Sequence, residues 1–82
     1  MEELRLGIYE YYKGKKYLVI GLAAPESDHS GRLVVYVPLY EAPGPRMWVR
    51  PIGEFLEMVT KPDGTTRPRF AYIGQELPGE LD

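Results

Sequence analysis

The sequence predicts an all-β fold, a small antiparallel barrel or rolled sheet with one short helical turn, and three observations carry that prediction. Runs of β-branched and aromatic residues recur at strand length. Clusters containing glycine and proline separate them. At 82 residues the chain has room for one hydrophobic core, since two domains would each be too small to hold together.

The elements follow in order. Gly7-Ile8-Tyr9-Glu10-Tyr11-Tyr12 is aromatic and β-prone, and it runs into Lys13-Gly14-Lys15-Lys16, where the glycine permits a positive φ. Tyr17-Leu18-Val19-Ile20-Gly21-Leu22-Ala23 is apolar on both faces. The two runs are expected to form a β-hairpin with a tight basic turn, the second strand being central to the core. Ala24 to Gly31 is a polar loop with Pro25, Asp28 and Gly31 as turn formers. A third strand is expected over Arg32 to Tyr40, with Pro38 implying an edge position or a bulge near its end.

Two prolines and a glycine within Glu41-Ala42-Pro43-Gly44-Pro45-Arg46 exclude regular structure and predict an exposed turn. Met47-Trp48-Val49-Arg50 is a short strand stopped by Pro51. Ile52, Phe55, Leu56 and Val59 recur at helical spacing, and Gly53 keeps that segment short or partly 3₁₀. Lys61-Pro62-Asp63-Gly64 is a turn signature, and Arg69 to Ile73 is the expected last strand. The reading is one domain over residues 7–74, between an N-terminal arm at 1–6 and a flexible acidic tail at 75–82. Its expected core holds Val19, Ile20, Val35, Val37 and Phe55, taken from the most apolar strands and the stripe of the helical turn.

Composition narrows the function classes. The net charge is -2, against a dedicated nucleic-acid binder, but five of the twelve acids lie at the two ends. Residues 4–74 hold ten bases against seven acids, a net of +3, which leaves room for a local basic patch. There is no cysteine and only His29, too little for the usual structural zinc ligand sets, so no metal or other cofactor is expected. The acidic N-terminus lacks the apolar run of a signal peptide, and no stretch reaches the length of a membrane span. A cytoplasmic protein is the expectation.

Catalytic constellations have little to stand on. His29 is the single candidate base of the common kind, in a loop with Ser27, Asp28 and Ser30, which satisfies composition but not geometry. Glu54 and Glu57 are neighbours if their segment is helical, an arrangement open to acid/base work or to plain surface charge beside Arg50 or Arg46. Neither supplies a positive case for an enzyme, and no catalytic residue is assigned.

Seven tyrosines and one tryptophan exceed what so small a core needs, and a phenol or indole N–H favours half-buried positions. By the period of two, Tyr9 and Tyr11 share a strand face, as do Tyr36 and Tyr40, while Trp48 and Arg50 share another. Arginine beside aromatics recognises carboxylates, phosphates or stacked rings. Tyr9, Tyr11, Tyr36, Trp48 and Arg50 are therefore the candidate ligand-binding face, suited to a peptide or a single-stranded nucleic acid. The competing reading makes Trp48 the centre of the core with Arg50 pinned to Glu54 or Glu57. Lys13, Lys15 and Lys16 at the hairpin tip either touch an acidic partner or guard the sheet against edge aggregation. An assembly role remains the alternative, with an edge near Pro38 or residues 69–73 pairing across a two-fold axis, so that monomer and homodimer are both open.

The ordered pieces Gly7-Ile8-Tyr9, Lys13-Gly14 with Tyr17, Val34-Val35-Tyr36 with Leu39-Tyr40, Trp48-Val49-Arg50-Pro51, Phe55-Leu56-Glu57 and Pro68-Arg69-Phe70 with Tyr72-Ile73 resemble a family of small bacterial proteins, the domain of unknown function 1653. The resemblance spans residues 7–74 and implies an SH3-like, mostly antiparallel, partly open barrel with no established activity. The chain departs from the family pattern where relatives often carry histidine before the first turn and a His-Ser-Glu stretch after the hairpin. Here those places hold Tyr11 and Pro25-Glu26-Ser27-Asp28-His29.

Overall fold

The computed structural model describes residues 4–27 and 30–75. Seven strands and one helical turn succeed one another: β1 (Gly7–Tyr11), β2 (Lys16–Ala23), β3 (Leu33–Pro38), β4 (Trp48–Pro51), α1 (Ile52–Phe55), β5 (Met58–Thr60), β6 (Thr66–Pro68) and β7 (Phe70–Gly74). The first four strands and β7 form one antiparallel sheet in the order β4-β3-β2-β1-β7, and β5 and β6 form a separate two-stranded hairpin. The fold is all-β. The sheet is not closed into a barrel, because β4 and β7 stand as its two edges.

The expected hairpin forms around the basic turn. Glu10 pairs with Lys16, Tyr11 exchanges backbone bonds with Lys15 and Gly14, and Gly14 takes φ +107. That conformation is open to glycine and strained for other residues. β2 is the middle strand of the five. The Lys61–Thr65 turn likewise closes β5 on β6, with the Asp63 carboxylate accepting from the Thr65 N–H at 2.9 Å and its hydroxyl at 2.6 Å. These two hydrogen bonds hold the Asp63 carboxyl below its usual value.

Two expectations about β3 are corrected, the first in part. β3 is an interior strand, between β2 and β4, but Pro38 lies past the end of β4 and so has an open edge on that side. The Leu39 N–H bonds the Lys16 carbonyl, which turns the Pro38 nitrogen toward the β4 side, and β4 pairing ends at Tyr36. The missing donor therefore meets no strand. The second correction concerns parity. Val34, Tyr36 and Pro38 point inward and are buried, whereas Val35 and Val37, expected in the core, lie half-buried on the other face.

Ile20 is also displaced from its expected place in the core. It follows the inward Val19, so alternation turns it to the outer face, at the bulge between Val19 and Gly21, and it is 43% exposed. Val19 and Phe55 are buried as expected, at 1% and 0%. The core is a layer of rings on the inner face of the sheet: Tyr9, Tyr17, Tyr36, Phe55 and Phe70 with Val19 and Val34. Phe55 stacks on Phe70 at 4.1 Å and 4°, so α1 works as a plug that seats one ring under the sheet. Val59, which extended the helical spacing, belongs instead to β5.

Candidate functional site

The inner face becomes a site where its rings reach the surface. Tyr17 is the hub. Its ring packs edge to face against Tyr36, Tyr40 and Phe70 at 5.4–5.7 Å and lies 6.0 Å from Trp48 and 6.4 Å from Tyr11. Tyr17 is buried, while Tyr11, Tyr40 and Trp48 around it are half-buried, so one aromatic floor carries three open rims. Four strands and a loop meet there because inward parity puts Tyr11 of β1, Tyr17 of β2, Tyr36 of β3 and Trp48 of β4 on one side.

The expected five-residue face divides accordingly. Tyr9 and Tyr36 are 5% and 4% exposed and belong to the core, which removes them from any open surface. Tyr9 packs against Phe55 and Tyr72 and donates its hydroxyl to the Arg5 carbonyl at 2.8 Å. Trp48, Arg50 and Tyr11 are joined through shared neighbours, Trp48 and Tyr11 by Tyr17 and Arg50 and Tyr11 by Phe70. The Trp48 indole N–H donates to the Pro45 carbonyl at 2.8 Å. Arg50 donates from Nε to the Tyr36 hydroxyl at 3.3 Å, lies 3.8 Å from the Glu54 carboxylate and sits 5.5 Å over the Phe70 ring. The two competing readings of Trp48 and Arg50 thus meet in one place: both residues brace the core and both face outward in part.

Tyr17, Tyr40 and Arg69, outside the expected five, complete the site together with Lys15 of the hairpin tip. Tyr17 and Tyr40 share a hydroxyl-to-hydroxyl bond of 2.7 Å, and the Lys15 ammonium lies 4.5 Å over the Tyr40 ring. Burial first, then the bond to Tyr40, pushes the Tyr17 phenol well above its ordinary value. Arg69 binds the Glu57 carboxylate at 2.9 Å; Glu57 first and Tyr11 after it hold its guanidinium in the charged form. The inward parity that pairs Tyr9 with Tyr17 carried a signal for the hub, masked by an all-apolar run after Tyr17.

The loop before β4 shapes one wall. Arg46 donates from Nη2 to the carbonyls of Pro38 and Tyr40, 3.0 Å each, and Trp48 ties down Pro45. A shallow depression lined by Glu41, Ala42 and Pro43 adjoins Tyr40.

Glu54 and Glu57, the carboxylate pair considered for catalysis, each face an arginine. Asp28 and His29 lie outside the described residues. Among the described residues, no group of three or more His, Cys, Asp or Glu is arranged to hold a metal ion, and no helix is long and apolar enough to cross a membrane.

Comparison with known proteins bears on the whole arrangement. The model of a family described as a protein of unknown function (DUF1653) matches residues 7–72. A crystal structure of a DUF1653 protein from Bordetella bronchiseptica is similar, with 38% sequence identity, a TM-score of 0.83, and 93% of this chain and 95% of that chain covered. No curated protein matches the chain.

Proposed function

Because the chain belongs to the DUF1653 family of proteins of unknown function, we infer its role from the site: it is a small peptide-binding module that docks an extended, proline- or aromatic-containing segment on the rim of Tyr11, Tyr40 and Trp48. The observation that supports this is the half-buried state of three rings around the buried Tyr17, with Lys15 and Arg50 beside them. Aromatic grooves of this kind take up extended segments because ring faces cover apolar side chains at little conformational cost. The cations at the rim favour a segment that also carries a carboxylate. A net charge of -2 weighs against single-stranded nucleic acid as the ligand. The reading keeps the protein cytoplasmic, in keeping with a chain that has no cysteine.

The test is a titration with a panel of proline- and aromatic-containing peptides and, in parallel, an oligothymidine. Trp48 fluorescence and the amide shifts of Tyr11, Tyr40 and Trp48 are followed. Peptide binding should perturb all three positions. Tyr40→Ala should weaken it by about 1–3 kcal/mol, the usual contribution of an interfacial aromatic, while the exposed Met58→Ala should not. Binding of the oligonucleotide alone at those rings would replace the peptide reading, and an undisturbed rim would end it.

A further inference from the structure

β4 is one of the two edges of the sheet, and it carries Trp48 and Arg50 on its inner face. Its hydrogen-bonding directions follow from its neighbours. The Ile52 N–H donates to the Arg32 carbonyl, and Val34 and Tyr36 stand opposite Arg50 and Trp48, so Trp48 and Arg50 bond toward β3. The Leu39 N–H, bonded to Lys16 on the β2 side, fixes the same alternation along β3. Val49 therefore turns both its N–H and its C=O to the open edge, where no backbone partner meets them among the described residues. Its side chain is 56% exposed, so the edge is uncovered at that point. Two residues on, Pro51 has no N–H and closes the donor row. Within β4 the open edge thus holds a single donor, on Val49, with an acceptor beside it and the rim next to both.

We propose, resting on the peptide-binding reading of the rim, that the bound segment docks as a short strand added antiparallel to β4 and reads, from its N-terminal side, acid, β-branched aliphatic, aromatic. An extended segment at a sheet edge exchanges main-chain hydrogen bonds with it, and its alternate side chains fall on the two faces. The residue opposite Val49 exchanges both bonds, so it carries an N–H and is not proline. Its side chain lies on the outer face beside Val49, which has Val35 as its cross-strand neighbour on the other side, and an aliphatic continues that row. The two flanking residues turn inward. One comes beside Arg50, whose contact with Glu54 is long at 3.8 Å, so the guanidinium can also take a carboxylate from the ligand. The other meets the half-buried Trp48 ring as a cross-strand aromatic. The order follows from β4 running from Trp48 to Arg50, since an antiparallel partner passes Arg50 first. The N–H groups of both flanking residues point away from β4, so proline is admitted beside Trp48 in place of the aromatic.

A nuclear magnetic resonance titration of the full chain tests this with a capped pentapeptide of threonine, glutamate, valine, phenylalanine and threonine in that order. At saturation the Val49 amide proton should move downfield and exchange with solvent at least about tenfold more slowly, alongside the shifts of Tyr40 and Trp48. N-methylation of the peptide valine removes its donor and keeps its side chain, and should weaken binding about tenfold or more. The peptide of reversed order should bind more weakly than the original. These readings need no variant of the protein. Exchanging the peptide glutamate for glutamine should weaken binding to the wild type about fivefold and leave binding to Arg50→Gln unchanged. Shifts at Tyr11, Tyr40 and Trp48 with a silent Val49 amide overturn the added strand and leave the rim reading standing. So does an N-methylated or reversed peptide that binds as well as the original. A rim that no peptide disturbs ends the rim reading and the added strand with it.

Discussion

At the scale of single residues, stability rests on rings more than on the aliphatic strand residues. Phe55 is fully buried and stacked on Phe70, so Phe55→Ala should cost about 3–5 kcal/mol in urea denaturation. Ile20 leaves 43% of its surface open on the outer face, and Ile20→Ala should cost less than about 1 kcal/mol in the same measurement on the monomer. Tyr17 makes a pH prediction. Its phenol is raised above the ordinary value of 10.0 by burial and by the bond to Tyr40, so the folded chain keeps a proton that the unfolded chain releases. Stability from this group is whole below pH 10 and falls as the pH climbs from there toward the raised folded value. Tyr9, raised by burial, adds to the same trend. Denaturation midpoints should therefore drop as the pH rises above about 10, the ordinary tyrosine value, and the drop should be shallower in Tyr17→Phe. An identical slope in the variant would remove Tyr17 as its source.

At the scale of elements, close approach and parity decide what the chain tolerates. Gly7 opens β1 at φ +143, and a Cβ there would meet the Gly74 carbonyl oxygen at 2.6 Å. Gly7→Ala should thus cost about 1–3 kcal/mol in thermal unfolding, because it strains the backbone at the junction of β1 and β7. The ion pairs around α1 weigh far less. Arg50 and Glu54 are 29% and 60% exposed at 3.8 Å, so Glu54→Ala should change stability by less than about 1 kcal/mol, leaving the Phe55 plug to hold the segment. These elements also mark how far a sequence can be read. The β1–β2 hairpin was legible because its glycine turn and flanking aromatics agree. The facing of β3 was not, since Leu33 to Val37 is apolar at every position but Tyr36 and offers no alternation to choose between faces. The bulge at Ile20 has no signature beyond the glycine that follows it. Strands β5 and β6 are three residues each, too short for a period to show, and Val59 matched a helical spacing by chance. At the candidate site, the period of two correctly linked Trp48 with Arg50, but it could not say that the shared face of Tyr9 and Tyr36 is the inner one.

At the scale of the whole molecule, the sheet is held by a pairing between distant parts of the chain. β1 is bonded to β2 across a short turn and to β7 across most of the sequence, with Ile8 opposite Gly74 and Tyr11 opposite Phe70. β7 brings Phe70, which touches Tyr11, Tyr17, Tyr36 and Phe55, and Tyr72, which packs on Tyr9. The inner ring layer is therefore incomplete until the last strand arrives, and a chain of this size holds no second core to fall back on. Pairings so far apart in sequence must close a long loop before any contact rewards it, which places folding in the milliseconds-to-seconds range typical of small β domains. A chain ending at Pro68 keeps β1 to β6 but exposes the faces of Tyr9, Tyr17 and Phe55 that Phe70 and Tyr72 cover. Such a chain should show no cooperative thermal transition by circular dichroism at 25 °C and above, and its Trp48 emission should sit at the wavelength of solvated indole. Adding residues 69–82 as a separate peptide should restore the transition if β7 docks as an independent strand. A truncated chain that melts cooperatively near the wild-type temperature would show that β1 to β4 and α1 suffice, and that the closing strand is an accessory to the ring layer rather than part of it.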